Sequence, residues 1–224
     1  MDNKVSFVEK IWSQKINRVL LLSIGFSLAI ITFRIKRTET IGYIFLVWNL
    51  FLATIPYGIT QVLKHTEWAR KSTFMIVFAF GFWLLFLPNA PYIITDLMHL
   101  KTKNDYIIWF DAFMIFVFAW NGLLMGILSI IDMYEIIKKR WTIKAAIITV
   151  FCVAFLSGFG IYLGRFLRWN SWELFSQPIA LFQDIMTSCF DPAYRFKTWG
   201  VTLGFGSFLY LLFLFFKGLL TSNK

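Results

Sequence analysis

The chain has 224 residues, of which 58% are hydrophobic and only 15% are charged, whereas an ordinary soluble domain has about 25% charged residues. The apolar residues fall in long blocks, so the composition is that of a membrane protein and excludes a soluble globular domain. The net charge of +10 indicates contact with lipid head groups and not with nucleic acid, because Lys and Arg cluster at the ends of those blocks.

Six apolar segments are predicted to cross the membrane, which takes about 20 residues of helix; the third is short by this measure. The sequence therefore predicts an all-α, polytopic membrane helix bundle that forms a single integral membrane domain. Lys and Arg are more frequent on the side of the N-terminus, which predicts that both termini are cytoplasmic. The predicted spans are Ile16–Phe33, Ile41–Leu63, Thr73–Leu87, Ile107–Ile131, Ile143–Tyr162 and Val201–Phe216.

The third span ends at a break, Leu-Pro-Asn-Ala-Pro-Tyr-Ile-Ile-Thr-Asp-Leu, over Leu87–Leu97. Its two prolines each remove a backbone donor and restrict the preceding residue, so a regular helix cannot continue. If the next segment is helical, Asp96 and His99 share a face, where a carboxylate beside an imidazole can orient a general base or bind a divalent metal. The alternative is a short interfacial helix that Thr95 or Asp96 caps.

The fourth span carries Asp111 near its start, and an ionisable group within a span is a functional-site hypothesis by default. Two alternatives remain open. Asp111 lies near enough to the interface to be simply hydrated, or it forms a structural salt bridge with Arg165 or Arg168.

Small residues at helical spacing in the last three spans, such as Gly122 and Gly126, let membrane helices approach closely. We therefore expect spans four to six to pack together as a compact bundle.

The fifth span is followed by a stretch rich in Arg and Trp, Gly164–Glu173. Arg165 and Arg168 are three residues apart, and beside Trp169 and Trp172 they suit a phosphate or carboxylate head group. The alternative is a pair of snorkelling Arg side chains within an interfacial tryptophan belt.

A surface helix is predicted further along the same connection, over Pro178–Phe190. Its polar positions are Gln183, Asp184, Thr187 and Ser188. The other face carries apolar residues, which are Ile179, Phe182, Ile185, Met186 and Cys189. This division predicts an amphipathic helix that lies on the outer face of the membrane.

Three segments resemble the hallmarks of an uncharacterised bacterial family of multi-pass integral membrane proteins, classed as a domain of unknown function. They are the Leu87–Leu97 break, Trp109-Phe110-Asp111, and Gly-Arg-Phe-Leu-Arg-Trp-Asn-Ser-Trp from Gly164. The resemblance implies a bacterial cytoplasmic membrane and supports this architecture and choice of sites. It implies no activity.

With six spans, the connection after the third span and the connection after the fifth lie on the same side of the membrane. The sequence therefore predicts one outer-face pocket, built from polar residues of both connections and of the fourth span. The candidate site residues are Asn89, Thr95, Asp96, His99, Asp111, Arg165, Arg168, Asn170 and Glu173.

Three functions remain open at this level. The first is binding or transport of an anionic amphiphile, such as a lipid phosphate or another lipid-linked ligand, at the outer-face pocket. The second is a non-catalytic subunit with a membrane-protein partner. The third is a metal-dependent membrane enzyme that uses Asp96, His99 and Asp111, although this is a small ligand set. The standard hydrolase and nucleotide-binding motifs are absent, and the sequence leaves any cofactor unknown.

Overall fold

The computed structural model describes residues 14–100 and 105–222, and no strand occurs among them. Short connections join the helices. In chain order the helices are α1 (Lys15–Thr38), α2 (Phe45–His65), α3 (Glu67–Lys71), α4 (Thr73–Phe86), α5 (Asn89–Tyr92), a 3-10 helix (Ile93–His99), α6 (Asp105–Arg140), α7 (Ile143–Phe166), α8 (Glu173–Ser176), α9 (Pro178–Phe190) and α10 (Arg195–Ser222).

Six helical segments in the described part of the chain are long and apolar enough to cross a membrane, which confirms the all-α, multi-pass fold class. The third of them joins α4, the break and most of the 3-10 helix. These segments are Lys15–Thr38, Phe45–His65, Thr73–Met98, Ile107–Arg140, Ile143–Phe166 and Arg195–Leu219.

The helices form two compact units, each with its own apolar core. The first unit comprises the described residues up to 83 and from 89 to 126, and the second comprises 84–88 and 127–222. Fully buried side chains in the first unit include Leu46, Ile93, Met114, Ile115 and Phe118. Those in the second unit include Ile127, Ile161, Tyr162, Leu209 and Phe213.

In the first unit, Ala90 of the break packs tightly against α6. A Cβ atom at Gly122 would lie 2.7 Å from the Ala90 carbonyl oxygen, and one at Gly126 would lie 2.8 Å from the Ala90 Cβ. Any larger residue at either glycine would therefore push α5 away. The helix α4 ends at Phe86, as two nearby prolines require.

In the second unit, α7 and α10 pack antiparallel through glycines. A Cβ at Gly158 would lie 2.5 Å from the Thr202 carbonyl oxygen, and the Phe151 ring meets the Tyr210 ring at 5.3 Å. Spans five and six thus pack as expected. In the fourth span, Gly122 and Gly126 approach Ala90 of the break, whereas the span from residue 127 onward belongs to the second unit with α7 and α10.

The helix α9 packs on the second unit through a face that differs from the expected one. Its polar residue Ser188 is 3% exposed and Asp184 is half-buried, whereas Ile179 is 74% exposed and Phe182 is 59% exposed. Assigning Asp184 and Ser188 to a solvent face was wrong, because both side chains hydrogen-bond to the protein.

Candidate functional site

A buried ion pair in the first unit joins α1 to α6. Arg34 Nε donates to Asp111 Oδ1 and Arg34 Nη2 donates to Asp111 Oδ2, each at 3.1 Å. The side chain of Asp111 is 0% exposed and that of Arg34 is 10% exposed. The sequence-based alternatives for Asp111, namely hydration or pairing with Arg165 or Arg168, are therefore wrong.

The rest of the Arg34 guanidinium contacts residues that follow it closely in the sequence. Its Nη1 donates to Thr38 Oγ1 at 2.9 Å and to Thr40 Oγ1, and its carbon lies 4.7 Å from the centre of the Tyr43 ring. Burial, together with the charge of Asp111 and a hydrogen bond to it, raises the pKa of Tyr43 to about 12. Tyr43 therefore stays neutral beside Asp111 at physiological pH. We call these five residues the Arg34 cluster.

The sequence indicated Asp111 but neither Arg34 nor Tyr43. Arg34 stands beside Lys36 and Arg37 at the end of an apolar block, where a basic residue usually serves as a membrane anchor. The one local feature of Arg34 is that it precedes Arg37 by three residues, about one turn of α1. That signal does not reveal a partner 77 residues away.

A second buried carboxylate, Asp96, lies on the 3-10 helix and is 1% exposed. Asn49 Nδ2 of α2 donates to Asp96 Oδ2 at 2.9 Å, which joins the end of the break to the second span. Thr95 Oγ1 donates to the Tyr92 carbonyl oxygen at 2.6 Å, and Asn89 begins α5. The N-cap of the 3-10 helix is Tyr92 and no side chain caps it, so the prediction that Thr95 or Asp96 caps this helix is wrong. The side chain of His99 lies outside the described residues.

Asn121, the remaining polar residue near the middle of the fourth span, is fully buried and joins α6 to α1. Its Nδ2 donates to Ser27 Oγ at 2.9 Å, to the Val117 carbonyl oxygen at 3.0 Å and to the Ser23 carbonyl oxygen at 3.3 Å. These contacts give Asn121 a structural role in helix association.

In the second unit, Arg168 follows the end of α7 in a left-handed backbone conformation, with φ at 63°. The chain reverses there, so that the Trp169 amide donates to the Leu163 carbonyl oxygen at 3.1 Å. Arg168 is exposed, and no hydrogen bond or ion pair joins its side chain to any residue in the described ranges 14–100 and 105–222. Arg165, in the last turn of α7, is half-buried.

The connection after Arg168 is held by hydrogen bonds from neutral donors to carboxylates. Asn170 donates to Glu173 Oε2 from its backbone amide and, at 3.1 Å, from Nδ2. The indole of Trp169 donates to Asp184 Oδ2 at 2.9 Å. Asn170 and Glu173 therefore shape the turn that precedes α8.

The predicted residues thus separate by unit. Asn89, Thr95, Asp96, His99 and Asp111 belong to the first unit, and Asp96 and Asp111 have different partners there. Arg165, Arg168, Asn170 and Glu173 belong to the second unit. Their convergence on one pocket stays a prediction. Among the residues described, no three His, Cys, Asp or Glu side chains are grouped as metal ligands.

A family model described as "Protein of unknown function (DUF1361)" matches residues 48–212. The chain belongs to this family. The matched region contains the break, Asp96, Asp111 and the Arg165–Glu173 stretch, whereas Arg34 and Tyr43 precede it. No match to the chain is found among the curated proteins or the solved structures.

Proposed function

We propose that the protein binds an anionic lipid head group at the end of α7, through Arg168 and the cations beside it. The backbone of Arg168 carries this proposal. A left-handed conformation costs a non-glycine residue about 1–2 kcal/mol, and glycine is the usual residue where a helix ends this way. Backbone strain of this kind persists where the surrounding structure enforces it, and it is common at ligand-binding sites. Here it presents an exposed guanidinium at the membrane edge.

Two further cations lie at the same end of the second unit, because α7 and α10 are antiparallel. Lys197 Nζ lies 3.7 Å from the centre of the Phe166 ring, and Arg195 begins α10 on the exposed surface. We call Arg168, Arg195 and Lys197 the cationic rim. Cations at a membrane surface each attract anionic lipid by about 1 kcal/mol.

The carboxylates nearby are engaged with neutral donors. Glu173 accepts from Asn170, Asp184 accepts from the Trp169 indole, and Asp191 Oδ1 accepts from the Ala193 amide at 2.8 Å. These bonds hold the acidic side chains in place along the connection. Within the described residues no ion pair joins these carboxylates to a cation of the rim, so the rim side chains can contact an external anion.

The tryptophans beside the rim suit the depth of a lipid head group. Trp172 is 45% exposed, and Trp169 is fixed by its bond to Asp184. Tryptophan is enriched at the boundary between hydrocarbon and water, because its ring is apolar and its N–H is polar. A phosphate held by Arg168 would lie beside these rings.

The test is an Arg168→Gly variant, because glycine keeps the left-handed backbone and removes only the guanidinium. Wild-type and variant protein are reconstituted in vesicles with acidic lipid, repurified, and their retained lipid is measured by mass spectrometry. Loss of about 1 kcal/mol of attraction should lower retained acidic lipid roughly fivefold. The unfolding temperature should not fall, because the strain is relieved.

The chain offers a matched control in Glu39, the other non-glycine residue with positive φ in the part of the chain described here. Glu39→Gly should leave retained lipid unchanged. Addition of inorganic phosphate distinguishes a free-phosphate site, which it would empty, from a head-group site. Equal lipid in wild type and Arg168→Gly would contradict the proposal, and loss of a co-purified protein instead would favour the alternative role as a subunit of a membrane assembly.

A further inference from the structure

We infer that α9 is embedded in the interfacial layer of the bilayer, with its long axis along the membrane surface and one exposed edge in lipid. This inference goes beyond head-group binding by the cationic rim and does not depend on it. The partner is the bilayer itself, and the contact surface is apolar. The argument rests on how α9 is attached to the second unit and on what its exposed surface then presents.

The attachment uses polar groups of α9 and not its apolar face. Asp184 accepts from the Trp169 indole at 2.9 Å, and Ser188 Oγ lies 3.4 Å from the hydroxyl of Tyr162. Leu181, on the same face of α9, is 8% exposed. A soluble amphipathic helix would bury its apolar face and hydrate these polar groups, so α9 is oriented in the opposite sense.

The outward surface of α9 is itself divided lengthwise into two strips. With 3.6 residues per turn, the exposed apolar residues form one strip, and neighbouring polar residues form the next. The apolar strip, which contains no charged residue, consists of Ile179, Phe182, Met186 and Phe190, with exposed fractions of 74, 59, 40 and 71%. The polar strip contains Gln183 and Thr187, both exposed. A boundary between lipid and water along the helix fits this division.

Two spanning helices fix the depth of α9. Trp169, which bonds Asp184, comes three residues after the end of α7. Trp199, in the first turns of α10, donates from Nε1 to the Cys189 carbonyl oxygen at 3.3 Å. Both tryptophans therefore lie where spans end, and each holds one part of α9 at that level. A helix held there with an uncharged apolar strip outward meets the head-group and acyl boundary.

The test measures the environment of single labels along α9 in the full-length protein. The background carries Cys152→Ala and Cys189→Ala, and nitroxide labels are placed at Phe182→Cys, Met186→Cys, Gln183→Cys or Thr187→Cys. The protein is reconstituted in neutral phosphatidylcholine vesicles, so that the result is independent of acidic lipid. Collisions with oxygen, which concentrates in lipid, and with a water-soluble nickel chelate are compared by electron paramagnetic resonance.

Labels at 182 and 186 should show a higher ratio of oxygen to nickel collisions than labels at 183 and 187. Two apolar positions are used, so that poor folding of one variant leaves the other. Equal ratios at all four positions would overturn the inference, since α9 would then lie in water or wholly in lipid. Protection of 182 and 186 from both reagents would also overturn it, because a protein partner or a second copy would then cover the strip.

Discussion

The guanidinium of Arg34 and the carboxylate of Asp111 are both removed from water, which is costly for two charges. The structure offsets this cost by bidentate pairing and by hydrogen bonds from Arg34 Nη1 within the same cluster. Such a pair contributes little compared with a well-packed apolar pair, but the loss of one partner leaves a buried, unpaired charge. The two residues should therefore behave as a unit.

Removal of one partner alone is expected to destabilise the protein strongly. Asp111→Ala should lower the free energy of unfolding by about 3–5 kcal/mol, because the charge of Arg34 stays buried without its partner. Unfolding of the detergent-solubilised protein, followed by circular dichroism during denaturant titration, measures the effect. The double variant Arg34→Met with Asp111→Leu should recover much of the lost stability.

An exposed ion pair of the same unit provides the comparison. Lys71 Nζ lies 3.8 Å from Glu67 Oε2, and their side chains are 77% and 76% exposed. Glu67→Ala should change stability by about 0–1 kcal/mol, because solvent screens the pair. If Asp111→Ala had an effect as small as that of Glu67→Ala, the Arg34 cluster would not be the buried network described here.

At the scale of helices, glycine decides where two elements approach closely. The α7–α10 contact depends on Gly158, whose Cβ would meet the backbone of Thr202 at 2.5 Å and the Gly206 amide nitrogen at 2.9 Å. Backbone atoms cannot move aside as a side chain can. Similarly, a Cβ at Gly160 would lie 2.5 Å from Pro88 Cγ, so the first proline of the break is itself held against α7.

Two Gly→Ala substitutions in this helix pair should have opposite effects on stability. Gly158→Ala should destabilise by about 1–3 kcal/mol, because the added methyl overpacks the contact. Gly204→Ala on α10 has no neighbouring atom within 4 Å of the new methyl, so it should stabilise by about 1 kcal/mol through helix propensity. Denaturant midpoints of both variants, measured in the same detergent, check this. Equal destabilisation would show that α10 packs elsewhere.

At the scale of the whole molecule, six spans and the distribution of Lys and Arg predict the sidedness of the connections. Lys138, Lys139 and Arg140 end α6 next to the turn at Trp141, and Lys144 follows it. The positive-inside rule predicts that this turn is cytoplasmic. The long connection between α7 and α10 then faces outward.

Cysteine labelling in intact cells tests this sidedness. In a background with Cys152→Ala and Cys189→Ala, an impermeant maleimide should label Ala193→Cys directly and Trp141→Cys only after permeabilisation. Both positions are exposed in turns, so their accessibility differs only by side. The reverse pattern would place the N-terminus outside, and labelling of both positions in intact cells would contradict a membrane crossing by α7.

The fold class, the six apolar helices and the break after Phe86 could be predicted from the sequence, because hydropathy and proline act over neighbouring residues. The importance of Asp111 was also predictable, since a charge within an apolar block is rare. These features depend only on what lies within a few turns of one helix.

The partners of those residues depended on the tertiary structure. Arg34 meets Asp111 across 77 residues, Asn49 meets Asp96 across 47, and Trp169 meets Asp184 across 15. Composition indicates that a buried charge needs a partner, but only the packing of helices selects which one. For α9, the sequence determined that the helix is amphipathic. The tertiary structure decided that its polar groups face the protein, because Trp169 and Tyr162 provide hydrogen-bond partners there and leave the apolar strip outward.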